Sequence, residues 1–278
     1  MPPRDSAARI TRPAPSSYLS ERWELGAQDK RGVFSFRPHR ANYLLATYTR
    51  SPNDAPYRPF RSLTPDAHGI SHTELAFQLG FKTKLLENPA DLPVDLWFAY
   101  TQQSFWQATN HVASSPFRES DYQPELMAVL PTRLDLLGTQ LRFVNLGLVH
   151  QSNGQVSTLS RSWNRMYVQA GLERGDFSLL ARVWKRFNEA AADDNNPDII
   201  DYMGHGDLVG TYRLRGHEFS ALARHNFRTN KGALQLGWTF PLSGNLSGYV
   251  QLFSGHGQSL IDYNYAQKVI GVGVMLRQ

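Results

Sequence analysis

The run Val144-Asn145-Leu146-Gly147-Leu148-Val149-His150-Gln151-Ser152 decides how this chain is read. Side chains alternate between the two faces of a β-strand, so residues at i and i+2 share a face. One row is then Val144, Leu146, Leu148, His150 and Ser152, and the other is Asn145, Gly147, Val149 and Gln151. The second row is polar for a strand interior, while the apolar row ends on a histidine and a serine. An apolar exterior facing lipid around a polar, hydrogen-bonded interior has this pattern.

The same alternation recurs along the chain. Leu75, Phe77, Leu79 and Phe81 alternate with Ala76, Gln78 and Gly80, and Leu234, Leu236, Trp238 and Phe240 with Gln235, Gly237 and Thr239. About twelve such segments begin near residues 40, 73, 92, 122, 139, 162, 175, 201, 216, 231, 244 and 266, separated by Gly, Pro, Asn and Asp clusters. The spacing predicts an all-β chain: a twelve-stranded antiparallel transmembrane β-barrel over residues 35–278. An irregular segment over 1–34 precedes it, and the hairpin of interest spans 139–173. A soluble sandwich or a lipocalin-like barrel shares the alternation and stays open on pattern alone.

Composition narrows the class. Hydrophobic residues make up 41% of the chain and none of its stretches reaches the roughly 18 apolar residues of a helical membrane span. Barrel strands escape that criterion because polar residues interrupt their lipid-facing rows. The 12% aromatic content suits girdles at the two membrane interfaces. With no cysteine, disulfides and thiolate metal sites are excluded. The net charge of +5 is spread as single Lys and Arg residues, which reads as lumen and loop charge, with no nucleic-acid partner expected. Met1 to Pro15 is polar and Pro-rich and lacks the apolar core of a signal peptide.

The following strand places Asn164, Met166, Val168 and Ala170 in one row, so Asn164 heads an apolar row as well. Hairpin closure brings Asn164 opposite or nearly opposite His150. Serine is a weak nucleophile until an imidazole takes its proton, and that imidazole needs a partner on its other nitrogen. An Asn amide can serve, but it stabilises an imidazolium less than a carboxylate does, so other charge is expected at the oxyanion. The loop from Asn153 to Ser162 is rich in hard oxygen donors of the kind Ca²⁺ prefers. The plainer reading is three polar residues where strands leave the bilayer.

Elsewhere, Asp193, Asp194 and Asp198 read as a solvated turn, and Arg142, Arg165, Arg182, Arg186 and Glu125 as lumen charges. His205 and Asp207 are expected to form a hydrogen-bonded polar pair instead of a metal site, and His217 and His225 to lie at the surface or at an interface.

These stretches resemble a known family, the bacterial outer-membrane phospholipases A. The resemblance rests on His150-Gln151-Ser152-Asn153-Gly154 with Ser160-Arg161-Ser162-Trp163-Asn164-Arg165, on Ser114-Ser115-Pro116-Phe117-Arg118-Glu119, and on Asn195-Asn196-Pro197-Asp198-Ile199 with Tyr202-Met203-Gly204. Ser259-Leu260-Ile261-Asp262-Tyr263-Asn264 and the last strand, Gly271-Val272-Gly273-Val274-Met275-Leu276, extend it, so it covers about residues 40 to 278. It implies hydrolysis of phospholipid and lysophospholipid acyl esters, with Ser152 as nucleophile, His150 as base, Asn164 as orienting amide and the Gly154 N–H in the oxyanion hole. It implies a calcium ion held by the Ser160 hydroxyl, the Gln155 carbonyl and Ser114 of the partner subunit in a homodimer. Gln155 stands where the family pattern has Arg, and the chain closes on Arg277-Gln278 instead of an aromatic residue.

With a periplasmic N-terminus, the loops carrying Ser114 and Ser160 fall on one side of the membrane, on the outer-leaflet side. Leu96, Phe98, Tyr100 and Gln102 form another outward row. Gln102 is either a lone interfacial residue or a hydrogen-bonding group at the subunit contact, with Leu79 and Phe81 beside it. The expectation is a dimer that forms reversibly, promoted by calcium and substrate, and acts on membrane phospholipids. A non-enzymatic pore or structural barrel is the alternative class, and a lipid acyltransferase a third.

Overall fold

The structure, a computed structural model, describes residues 17–61, 69–110 and 117–277. It is the expected closed antiparallel barrel. A short strand β1 (Phe36–Pro38) leads into β2 (Tyr43–Thr49), β3 (Thr73–Glu87), β4 (Asp95–Trp106), β5 (Phe117–Leu136), β6 (Thr139–Ser152) and β7 (Ser162–Arg174). There follow β8 (Phe177–Arg186), β9 (Gly206–Leu214), β10 (His217–Asn226), β11 (Lys231–Ser243), β12 (Leu246–His256) and β13 (Ala266–Leu276). Each strand from β2 to β13 pairs with its neighbours in sequence, and β13 pairs back with β2, which closes a ring of twelve. Closure removes the unpaired strand edges that lipid cannot satisfy. The extra strand β1 pairs with Thr83, Lys82 and Phe81 of β3, beyond the point where β2 ends.

The two ends of the barrel differ. At one end the turns are tight: Leu137–Gly138 and Arg215–Gly216 each place two consecutive residues at positive φ, the backbone of a two-residue hairpin turn. The other end carries the longer connections, including 153–161, 187–205 and 257–265. Membrane barrels show this asymmetry, with short turns inside and long loops outside the cell.

The lumen is packed and polar. At the short-turn end, helix α1 (Tyr18–Trp23) lies within the segment expected to be irregular, capped by the Ser17 side chain, which accepts from Ser20 N. Its Leu19 and Trp23 are buried against Trp97 and Phe143. At the long-loop end Leu260 and Ile261 turn inwards, and a cavity of about 940 Å³ lies between. Ion pairs cross the interior: Arg182 donates to both Asp207 oxygens at 3.2 and 2.6 Å, and Arg40 reaches Glu125 at 2.9 Å. The pair expected between His205 and Asp207 does not form. Strand β9 begins at Gly206, so His205 precedes the alternation and is exposed, while buried Asp207 takes Arg182.

Candidate active site

The β6–β7 hairpin sorts its side chains as the period-two reading requires. Asn145 is fully buried, whereas Leu146 and Leu148 are 52% and 51% exposed on the other row. His150 continues the exposed row. On β7, Trp163, Arg165 and Tyr167 are buried and Met166 and Val168 exposed. Register pairs His150 with Asn164 and Ser152 with Ser162. His150 Nδ1 and Asn164 Oδ1 are 2.8 Å apart, on the lipid-facing side. Ser152 lies two residues further along the same row, at the end of β6. The structure thus brings His150 and Asn164 into contact and sets Ser152 on their face of the sheet.

A buried asparagine closes the loop that follows. Asn153 N donates to Arg161 O at 3.0 Å, and Arg161 N returns a bond to Asn153 Oδ1 at 2.9 Å. Asn153 Nδ2 donates to Leu159 O at 2.8 Å and to Glu119 Oε1 at 3.1 Å. Glu119 Oε1 also accepts from Ile261 N at 3.0 Å, which ties the inward loop 257–265 to the hairpin loop. Gly154 has φ +63, and a Cβ there would meet the Tyr122 ring at 3.2 Å, so the position suits a residue without a side chain. Neighbouring loop residues brace the same segment: Ser162 N donates to Asn196 Oδ1 at 3.0 Å and Asn195 Nδ2 to Ser160 Oγ at 3.2 Å. Tyr263 donates to Asp198, and burial followed by that bond pushes its phenol above the usual range.

Beneath these loops Arg118 is clamped between two carboxylates. It donates to Glu74 at 2.6 and 3.1 Å and to Asp262 at 2.9 Å. Asp262 accepts further from Asn53 and Ser259. Glu119, Arg118 and Asp262 fall within stretches that carry the family resemblance, but their sequence pattern points to no role. Glu189, whose Oε1 accepts from Asn164 Nδ2 at 3.3 Å, was missed altogether.

The proposed metal donors divide. The Gln155 carbonyl and Ser160 hydroxyl lie on the surface loop. They are neutral hard oxygens suited to Ca²⁺, which takes six to eight such ligands. No cluster of three or more His, Cys, Asp or Glu residues fit to hold a metal occurs among the described residues. The donor chemistry therefore fits calcium. Ser114 lies outside the described residues. Gln102 is half-buried on the outward row of β4, opposite Leu79, with Phe81 opposite Tyr100. Its amide is partly satisfied within the chain: Tyr100 Oη donates to it at 3.2 Å and it donates to Ser104 Oγ at 3.1 Å.

Fold and site together define a class, a membrane-spanning β-barrel with a histidine, a serine and an amide on its lipid-facing surface. The phospholipase A1 family model matches residues 19–276, and the chain belongs to that family. It is accordingly an outer-membrane barrel phospholipase. A candidate phospholipase A1 of Neisseria meningitidis serogroup B is 44% identical over 265 residues, covering 92% of this chain and 69% of the relative. The structure of outer membrane phospholipase A from Escherichia coli superposes with a TM-score of 0.82 at 36% identity, covering 88% of this chain and 99% of that one. A Salmonella typhi outer membrane phospholipase, crystallised as a dimer with bound calcium, is 34% identical with a TM-score of 0.82, covering 90% and 94%.

Proposed function

We propose that this chain is a calcium-dependent serine hydrolase that cleaves acyl esters of phospholipids at either position, and of lysophospholipids, from the outer leaflet. The observation that carries this reading is the 2.8 Å contact between His150 Nδ1 and Asn164 Oδ1, on an exterior row that continues to Ser152. That face is turned to lipid, and a phospholipid reaches it by lateral diffusion.

His150 Nε2 takes the Ser152 proton as Oγ attacks the ester carbonyl, and the Gly154 N–H donates to the oxyanion that forms. The imidazolium then gives its proton to the departing glyceryl oxygen, leaving an acyl-serine. Water, deprotonated by His150, attacks the acyl carbon and releases the fatty acid, with the proton returned to Ser152 Oγ. Calcium, held by the Ser160 hydroxyl, the Gln155 carbonyl and Ser114 of the partner subunit, would supply positive charge beside the oxyanion. The same reading has the chain form a homodimer reversibly in response to calcium and substrate, with Gln102, Leu79 and Phe81 at the contact. The dimeric, calcium-bound Salmonella typhi relative supports the same reading.

Ser152→Ala assayed in phospholipid–detergent micelles with calcium tests the proposal. Hydrolysis is expected to fall by about a thousandfold or more. Chelation should silence the unaltered enzyme until calcium is restored. Near-normal hydrolysis by Ser152→Ala would overturn the nucleophile assignment.

A further inference from the structure

An asparagine amide is nearly symmetric in shape. Turned by half a rotation, Asn164 would present its NH₂ group to His150 and force the wrong tautomer on the ring. Something must select the orientation, and the chain just beyond β8 supplies it. Phe187 N donates to Asn164 O at 2.8 Å, which extends the pairing with β7 past the last residue of the strand. Two residues on, Glu189 Oε1 accepts from Asn164 Nδ2 at 3.3 Å. A carboxylate only accepts, so the NH₂ group must face Glu189 and the amide oxygen must face His150. That oxygen in turn can only accept, so His150 Nδ1 carries the proton. Nε2 is left with the free lone pair that a base needs.

We propose that Glu189 is a positioning residue for the reaction, an inference that rests on the function proposed above. It fixes the Asn164 amide, and through it the His150 tautomer. It also places a negative charge behind an amide that has none. Arg186 lies 3.8 Å from the Glu189 carboxylate but is engaged more closely by Asp194, at 2.6 Å. Lys185, the other nearby cation on β8, is exposed and pairs in register with Met166. Neither contact competes for the oxygen that holds Asn164.

The test compares Glu189→Ala with Glu189→Gln in micelles with calcium. Glu189→Ala should lower kcat about thirtyfold and leave KM within about twofold, because Glu189 orients a group and touches no substrate. Glu189→Gln keeps an acceptor oxygen and should recover kcat to within about threefold of the unaltered enzyme. A normal kcat for Glu189→Ala, or equal damage in both variants, overturns the proposal. A second readout needs no turnover: hydrogen exchange of the Asn164 side-chain NH₂, followed by NMR. Exchange should be slow in the unaltered protein and Glu189→Gln, and fast in Glu189→Ala; slow exchange in Glu189→Ala overturns the proposal. If Ser152→Ala remained active, the hydrolase reading would fall while the exchange result still reported on the Glu189–Asn164 bond, so the two failures are distinguishable.

Discussion

Alternate residues of the same two strands build two different polar groups. Inside the barrel, Gln151 accepts from Trp163 Nε1 and from Arg165 at 3.0 Å each, and the Arg165 guanidinium stacks on Trp163 at 3.7 Å. Outside, His150 and Asn164 share one hydrogen bond on a face left open to lipid, with Ser152 in the same row. The inner group draws its partners from its own chain. The outer group, on the proposed reading, is completed from outside the chain by a substrate, an ion and a second subunit. On that reading the pleat of a single hairpin separates stability from reactivity, and substitutions on the two faces should have different consequences.

The largest effect on stability is expected inside. Asp262→Ala removes one of the two carboxylates that hold buried Arg118, together with the acceptor for Asn53 and Ser259. Leaving a buried charge half-compensated costs about 3–5 kcal/mol, to be read from urea unfolding in micelles. Asn164→Leu acts on the other face. It should lower kcat about a hundredfold through loss of the orienting amide and barely move the unfolding midpoint. An equal loss of stability in the two variants would erase the distinction between the faces. The smallest effect is expected at Gln102. Gln102→Leu should leave the monomer's stability unchanged and weaken calcium-promoted dimers by about 0.5–1.5 kcal/mol, measured by sedimentation. Unchanged dimerisation would remove Gln102 from the contact.

Much of the barrel was legible because a period of two survives any local packing. The segments expected near 139, 162, 231 and 266 begin at Thr139, Ser162, Lys231 and Ala266. The one expected near 201 begins at Gly206 because a helical turn at Ile199–Met203 intervenes. Helix α1 was missed because one and a half turns are too short to show a helical period. Asn164 could be placed opposite His150 from hairpin geometry. Glu189 could not, since its approach depends on how the chain leaves β8, and nothing in the surrounding Asn188 and Ala190–Ala192 marks it out. Glu119 meets Asn153 across 34 residues of sequence, where the long β5–β6 hairpin brings its two open ends together.

The central claim is that a serine on the lipid-facing surface is the nucleophile. Reaction of the calcium-loaded protein in micelles with a long-chain alkyl sulfonyl fluoride, followed by mass-spectrometric mapping, tests it most directly. One adduct is expected, on Ser152, absent when calcium is chelated and absent from Ser152→Ala. An adduct on another residue, or no adduct while the protein still hydrolyses phospholipid, would contradict it.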